Sequence, residues 1–115
     1  MILGIGTDIV EISRIAKAVQ SKAFLAKCYT EAEISRCDAE SFAGHFAAKE
    51  AVAKALGTGF NGFVPRDIEI CHDDFGRPIC RLAGHINIPD KTKMHISISY
   101  SKEYAIATAV LSKEL

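Results

Sequence analysis

The sequence predicts an α+β domain, a small antiparallel-rich sheet packed with one long and two shorter helices. Three observations lead there. The first half of the chain repeats apolar residues at helical spacing, the second half alternates them with period two, and no repeat, linker or low-complexity tract interrupts the 115 residues. Residues 1–115 are therefore expected to form a single domain, long enough to bury about two-thirds of its unfolded surface.

The elements follow in order. Residues 2–10 are rich in Ile and Val and are broken by Gly4, Gly6, Thr7 and Asp8, which reads as a buried strand. The run is far shorter than the roughly 20 residues a membrane span requires. In EISRIAKAVQSK, Ile12, Ile15, Ala16 and Val19 recur at helical spacing, so the strand feeds a helix. Thr30 and Glu33 have capping-box spacing and open a short second helix. The longest helix covers residues 38–56, starting near Asp38, and Gly57 supplies its stop. DIEICHD and RPICRLA flank the turn DFGRP, while HISISYS and EYAIATAVL flank a tight SKE connection, giving two hairpins. His95, Ser97 and Ser99 then share one sheet face, a possible cleft wall, and Ile96 and Ile98 share the other. Residues 84–93 have no clear period and are expected to be loop.

Hydrophobic residues make up 49% and charged residues 24%, a globular composition. With 14 basic and 14 acidic side chains there is no net field to attract nucleic acid or anionic lipid, so neither nucleic acid nor membrane is expected as a partner. Cys28, Cys37, Cys71 and Cys80 are too widely spaced for zinc pairs, and no secretory signal precedes them. Free thiols and a cytoplasmic location are expected.

The stretch FAAKEAVAKALGTGFNG places Glu50 among Ala43, Phe46, Ala47 and Ala53, on a stripe that should face the core. A carboxylate there costs free energy unless a cation meets it. Glu50 and Lys54 form an i, i+4 pair in the favourable order, which on an exposed face is an ordinary solvated ion pair. The apolar context favours a carboxylate for a divalent cation and a lysine for a phosphate. Mg²⁺ takes one or two carboxylates and fills its octahedron with phosphate oxygens and waters. Asp8, closing an apolar run behind two glycines, is the second carboxylate, with a helix N-cap as the alternative role.

Other motifs are weaker. Gly57-x-Gly59-x-x-Gly62 has dinucleotide-fingerprint spacing but follows a helix instead of opening one, so a helix terminator is the simpler reading. Glycine amides in such a turn still approach phosphates closely. Arg14 and Lys17 lie off the apolar stripe of the first helix, either solvated or forming a basic patch for an acidic partner. No Ser, His and Asp pattern specifies a hydrolase, and no histidines have metal spacing.

Taken together, GIGTDIVEISRI, FAGHFAAKEAVAKALGTG, DIEI with FGRP, and HISIS with KEYAIA resemble the small 4′-phosphopantetheinyl transferases, the holo-acyl-carrier-protein synthases, over nearly the whole chain and in order. The resemblance implies that family's fold and its reaction, transfer of the 4′-phosphopantetheine arm of coenzyme A to a serine of an apo acyl carrier protein of fatty-acid synthesis. Adenosine 3′,5′-bisphosphate is released, and Mg²⁺ is required. It also implies that Asp8 and Glu50 hold the Mg²⁺, and that Glu50 and Lys54 are catalytic, with Lys54 against the phosphates. The serine's proton goes to Glu50 or to a metal-bound water, and the sequence does not choose. Gly57, Gly59 and the Gly76-Arg77-Pro78 turn would lie at the coenzyme A, and Arg14 would contact the carrier. A homotrimer with active sites between subunits is implied as well.

Two departures stand out. Gly44-His45-Phe46 replaces the family's G-R-F, and Ser97-Ile98-Ser99-Tyr100 replaces S-I-S-H. Those family residues are expected at the nucleotide's phosphates, so His45, Ser99 and Tyr100 are coenzyme A contacts by position, with weaker anion binding than arginine and histidine. His45→Arg is expected to tighten coenzyme A binding. The segment from Leu82 to Met94 is shorter and less helical than in the family, which affects the pocket's rim. The rival readings are a binding module that has lost turnover and an oligomeric scaffold with a structural Glu50 and Lys54 pair.

Overall fold

In the computed structural model, which describes residues 1–115, strand β1 (Ile2–Glu11) passes into helices α1 (Ile12–Ala18), α2 (Lys22–Cys28), α3 (Glu31–Arg36) and α4 (Ala39–Leu56). A 3-10 turn, Pro65–Asp67, leads to the hairpin of β2 (Ile68–His72) and β3 (Pro78–Leu82), then to that of β4 (Thr92–Tyr100) and β5 (Tyr104–Lys113). β1 adds to the second hairpin in the antiparallel order β1-β5-β4, while β2 and β3 form a separate two-stranded sheet. The α+β class is the expected one. The helix count differs, because residues 22–28 form a third short helix started by Ser21, whose hydroxyl accepts the Phe24 N–H at 3.2 Å. Its apolar residues, Ala23 to Ala26 and Cys28, run almost without a break, so no apolar stripe shows in the sequence.

The other helix ends obey their local signals. The Asp38 carboxylate accepts the Ser41 N–H at 2.9 Å, and Gly57 closes α4 in the left-handed region at φ 84°. Thr30 and Glu33 make both bonds of the capping box. Loop occupies most of residues 84–93, with Thr92 and Lys93 already in β4.

α4 lies on the inner face of the three-stranded sheet, and small residues meet there. Ala43, Ala47, Ala51 and Ala55 join one buried cluster with Ala105, Ala107 and Ala109. A β-carbon on Gly4 or Gly6 would overlap the carbonyl oxygen of Ala55 or Ala51, so strand and helix touch backbone to backbone. This contact fixes where Asp8 falls.

β1 is not the buried strand the sequence suggests. Its pleat turns Gly4, Gly6 and Asp8 toward α4 and leaves Ile5 and Ile9 outside, 63% and 58% exposed. Ile106 stands opposite Ile9 on the same outer face, together with His95, Ser97 and Ser99. Ile96 and Ile98 turn inward as expected. No helix is long and apolar enough to cross a membrane.

Candidate active site

Asp8 sits within β1, opposite Ala107, on the face turned to α4. The N-cap alternative does not hold, because the cap position of α1 is Glu11 and no side chain bonds there. The Lys54 ammonium donates to the Thr7 carbonyl at 2.9 Å and lies 3.4 Å from Asp8 Oδ1. Glu50 is one helical turn before Lys54. Burial raises the Glu50 carboxyl above its ordinary range, the Asp8 carboxylate raises it further, and Lys54 opposes both. Asp8, Glu50 and Lys54, from two elements far apart in sequence, thus form one group.

Two carboxylates near enough for the charge of Asp8 to raise Glu50 form a natural seat for a cation. The donors are hard oxygens, and nowhere in the chain do three or more His, Cys, Asp or Glu residues gather as a metal cage. That set suits Mg²⁺, which needs few protein ligands and completes its shell with phosphate and water, and suits zinc poorly.

Glu50 also borders a cavity of about 370 Å³ walled by Phe24, Phe46, Phe60 and Phe63. Phe24 stacks on Phe46 at 5.8 Å, and Phe60 meets Phe63 edge-on at 5.5 Å. This apolar wall lies beside the Glu50 carboxyl. After Lys54 the chain turns through Gly57, Gly59 and Gly62 at φ 84°, 62° and 83°, with open space where their β-carbons would be. The glycine spacing is a turn, and its backbone is uncovered beside the lysine.

The remaining expected contacts lie elsewhere in this chain. Arg77 is at the tip of the β2-β3 hairpin, paired with Asp73 at 3.2 Å, and with Pro78 it borders a cavity shared with Lys93 and His95. Ser99 is on the outer sheet face, opposite Ile106. Tyr100 packs over Gly44 on the inner side, where an added β-carbon would strike its hydroxyl. Arg14 is exposed on α1.

His45 faces inward, 4% exposed, with Nδ1 2.8 Å from Glu33 Oε2. It therefore serves a group that the sequence reading missed. Lys49 is wholly buried, and its ammonium donates to Glu33 Oε1 and to the Cys28 carbonyl, both at 2.6 Å. Burial alone would raise the Glu33 carboxyl, but His45 and Lys49 outweigh it and hold the group below its ordinary range. Burial lowers the Lys49 ammonium while Glu33 opposes that shift. Glu33 stays ionised between the His45 ring and the Lys49 ammonium. Its capping-box spacing was legible, but no local pattern announced this second role. The one available signal was that Lys49 is flanked by Ala48, Ala51, Val52 and Ala53.

The family model described as the 4′-phosphopantetheinyl transferase superfamily matches residues 4–109. A holo-[acyl-carrier-protein] synthase of Clostridium beijerinckii is 48% identical over 120 residues, covering 96% of this chain and 98% of the relative. A crystal structure of a holo-(acyl-carrier-protein) synthase from Bacillus anthracis in complex with CoA (3′,5′-ADP) is 39% identical, covers 99% of each chain and superposes with a TM-score of 0.84. The Helicobacter pylori holo-[acyl-carrier-protein] synthase in complex with coenzyme A is 36% identical, with a TM-score of 0.83 over 94% of this chain and 99% of that one.

Proposed function

The chain belongs to the 4′-phosphopantetheinyl transferase superfamily, and we propose that it works as a holo-[acyl-carrier-protein] synthase. It transfers the 4′-phosphopantetheine group of coenzyme A to a serine of apo acyl carrier protein, yielding holo carrier protein and adenosine 3′,5′-bisphosphate, in support of fatty-acid synthesis. The observation that carries this reading is the meeting of Asp8, Glu50 and Lys54 in a chain whose relatives are holo-[acyl-carrier-protein] synthases.

The serine oxygen attacks the β-phosphorus of the pyrophosphate, the bond from that phosphorus to the bridging oxygen breaks, and the bridging oxygen leaves on the adenosine bisphosphate. Asp8 and Glu50 are the residues to hold Mg²⁺, which when bound supplies positive charge to the pyrophosphate oxygens. Lys54, already fixed by the Thr7 carbonyl and Asp8, needs no reorganisation to meet charge growing on the phosphate oxygens. The phenylalanine wall beside Glu50 keeps water from one side of the site and strengthens each of these interactions.

The reading includes a homotrimer with sites between subunits. Two features support it: the isoleucine-rich outer face of the sheet is left open, and Ser99 lies on that face while the carboxylate pair lies on the other, with Arg77 at a separate cavity. A cytoplasmic location is part of the reading too, supported by four free cysteines.

The test is the intact mass of an apo acyl carrier protein after incubation with this protein, coenzyme A and Mg²⁺, repeated with Glu50→Gln. A gain of one phosphopantetheine that requires Mg²⁺ and vanishes in the variant is expected. No gain with any carrier, while coenzyme A still binds, would leave a binding module instead.

A further inference from the structure

Gly62, the third glycine of the turn after α4, is preceded by Asn61, and both residues are exposed. Gly62 holds φ at 83°, and no atom lies within 4 Å of where its β-carbon would stand, so nothing crowds the approach to its nitrogen. The turn's own bonds leave that nitrogen out. The Asn61 N–H donates to the Gly59 carbonyl at 2.9 Å and the Gly59 N–H to the Ala53 carbonyl at 3.3 Å, while the Gly62 N–H meets no acceptor. Side chains nearby are engaged elsewhere: the Thr58 hydroxyl donates to the Gly59 carbonyl at 3.0 Å, and Asp67 accepts the Val64 N–H at 2.9 Å. Neither ties down the Asn61 amide. A concavity of about 220 Å³, lined by Asn61, Gly62 and Thr58 among others, opens beside the pair and admits water.

A free side-chain amide, an unhindered glycine after it and an unbonded backbone nitrogen are what ring closure along the chain requires. The Gly62 nitrogen gives up its proton and bonds to Asn61 Cγ, the bond from Cγ to the side-chain nitrogen breaks, and ammonia leaves with that proton. A cyclic imide results. Water then opens it at Cγ, giving aspartate, or at the Asn61 main-chain carbonyl, giving isoaspartate. Water is consumed and ammonia released, with no change of oxidation state. Isoaspartate carries the chain through Cγ and so inserts a methylene into the main chain between Phe60 and Phe63. Those two rings meet edge-on at 5.5 Å and wall the cavity that Glu50 borders. Packed rings transmit such a displacement because they leave no void to absorb it.

We infer that Asn61-Gly62 is a self-modifying site, which converts without an enzyme to isoaspartate and thereby loosens the phenylalanine wall beside Glu50. The consequence for catalysis rests on the transferase reading, whereas the conversion and its effect on packing do not. Asn87, the chain's other asparagine, is an internal control: it is also exposed, but the β-branched Ile88 after it crowds the same attack.

The purified protein is held in warm, mildly alkaline buffer, sampled over time and digested, and the peptides bearing Asn61 and Asn87 are separated and weighed. The Asn61 peptide is expected to gain the mass difference between an amide and a carboxylic acid and to resolve into aspartate and isoaspartate forms, with the Asn87 peptide unchanged. An Asn61 peptide that stays intact, or converts no faster than the Asn87 peptide, overturns the site. Asn61→Asp reproduces the new charge without the extra methylene, and Asn61→Ser cannot close the ring. Aged wild type is expected to melt lower than fresh wild type and than Asn61→Asp, and Asn61→Ser to keep its melting temperature through the same treatment. Converted wild type that melts like fresh protein overturns the effect on the wall. So does Asn61→Asp melting as low as aged wild type, or an equal drop in Asn61→Ser. The rate of carrier modification should fall in the same order. Mass and melting need neither coenzyme nor carrier, so a failed carrier assay would sink the transferase reading and leave this site to its own test.

Discussion

Lys49 Nζ lies 2.6 Å from Glu33 Oε1 with both side chains shut off from water, which ties α3 to the middle of α4 through a charge pair in the core. Removing one partner strands the other as an uncompensated buried charge. Lys49→Met is therefore expected to cost about 3–5 kcal/mol in urea denaturation, and Glu33→Leu/Lys49→Met to recover much of that loss. A single variant as stable as wild type would show that Glu33 needs only His45 and the Thr30 N–H.

The same carboxylate sets an acid limit. Because Glu33 is held below its ordinary value of 4.5, its contribution is complete above that value and is lost as pH falls through the lower folded-state value. Melting temperature against pH should fall more steeply below 4.5 in wild type than in Glu33→Gln, which has no such proton to gain. Parallel curves would remove Glu33 as the cause.

Gly6 is expected to tolerate no side chain. Gly6→Ala would push α4 off the strand at the Ala51 carbonyl, at about 2–3 kcal/mol measured by denaturation, and would separate Asp8 from Glu50 and Lys54. Transferase activity should fall further than stability explains. Ile5→Ala, on the outer face of the same strand, is the control for strand-wide effects in the isolated subunit.

Mg²⁺ should compete with a proton at Glu50. The carboxyl is raised by burial and by Asp8, so affinity for Mg²⁺ is expected to be weak where Glu50 is protonated and to climb with pH through that raised value. Calorimetric titration across mildly acid to neutral pH reads this directly, and Glu50→Gln should flatten the dependence while lowering affinity. In the metal-free protein the substitution removes an unfavourable charge at neutral pH, so the melting temperature should not drop. A fall would point to a structural role for the Glu50 and Lys54 pair.

The open isoleucine face should carry the assembly. Ile9→Asp places a charge beside Ile106 on that face, and light scattering is expected to show a trimer in wild type and a monomer in the variant, with little change in the isolated fold. A monomeric wild type would refute the trimer.

Wherever structure followed from neighbouring residues, the sequence was sufficient. Asp38 and Gly57 bound α4, Thr30 and Glu33 cap α3, the two hairpins fall where their turns are, and the i, i+4 spacing pairs Glu50 with Lys54. Capping, turn chemistry and helical period act over a few residues, so a linear string carries them completely. α2 escaped because its nearly unbroken apolar run, Ala23 to Ala26, shows no stripe of helical period.

What the tertiary structure decided is which side of each element meets which partner. A helix pattern with apolar residues almost all round does not say which of two adjacent charges is buried, and here it is Lys49, because Glu33 arrives from another helix to receive it. The strand read as buried exposes its isoleucines because Gly4 and Gly6, lacking side chains, let α4 settle on their face. That same approach brings Asp8 to Lys54 across 46 residues of sequence, a distance no local period spans.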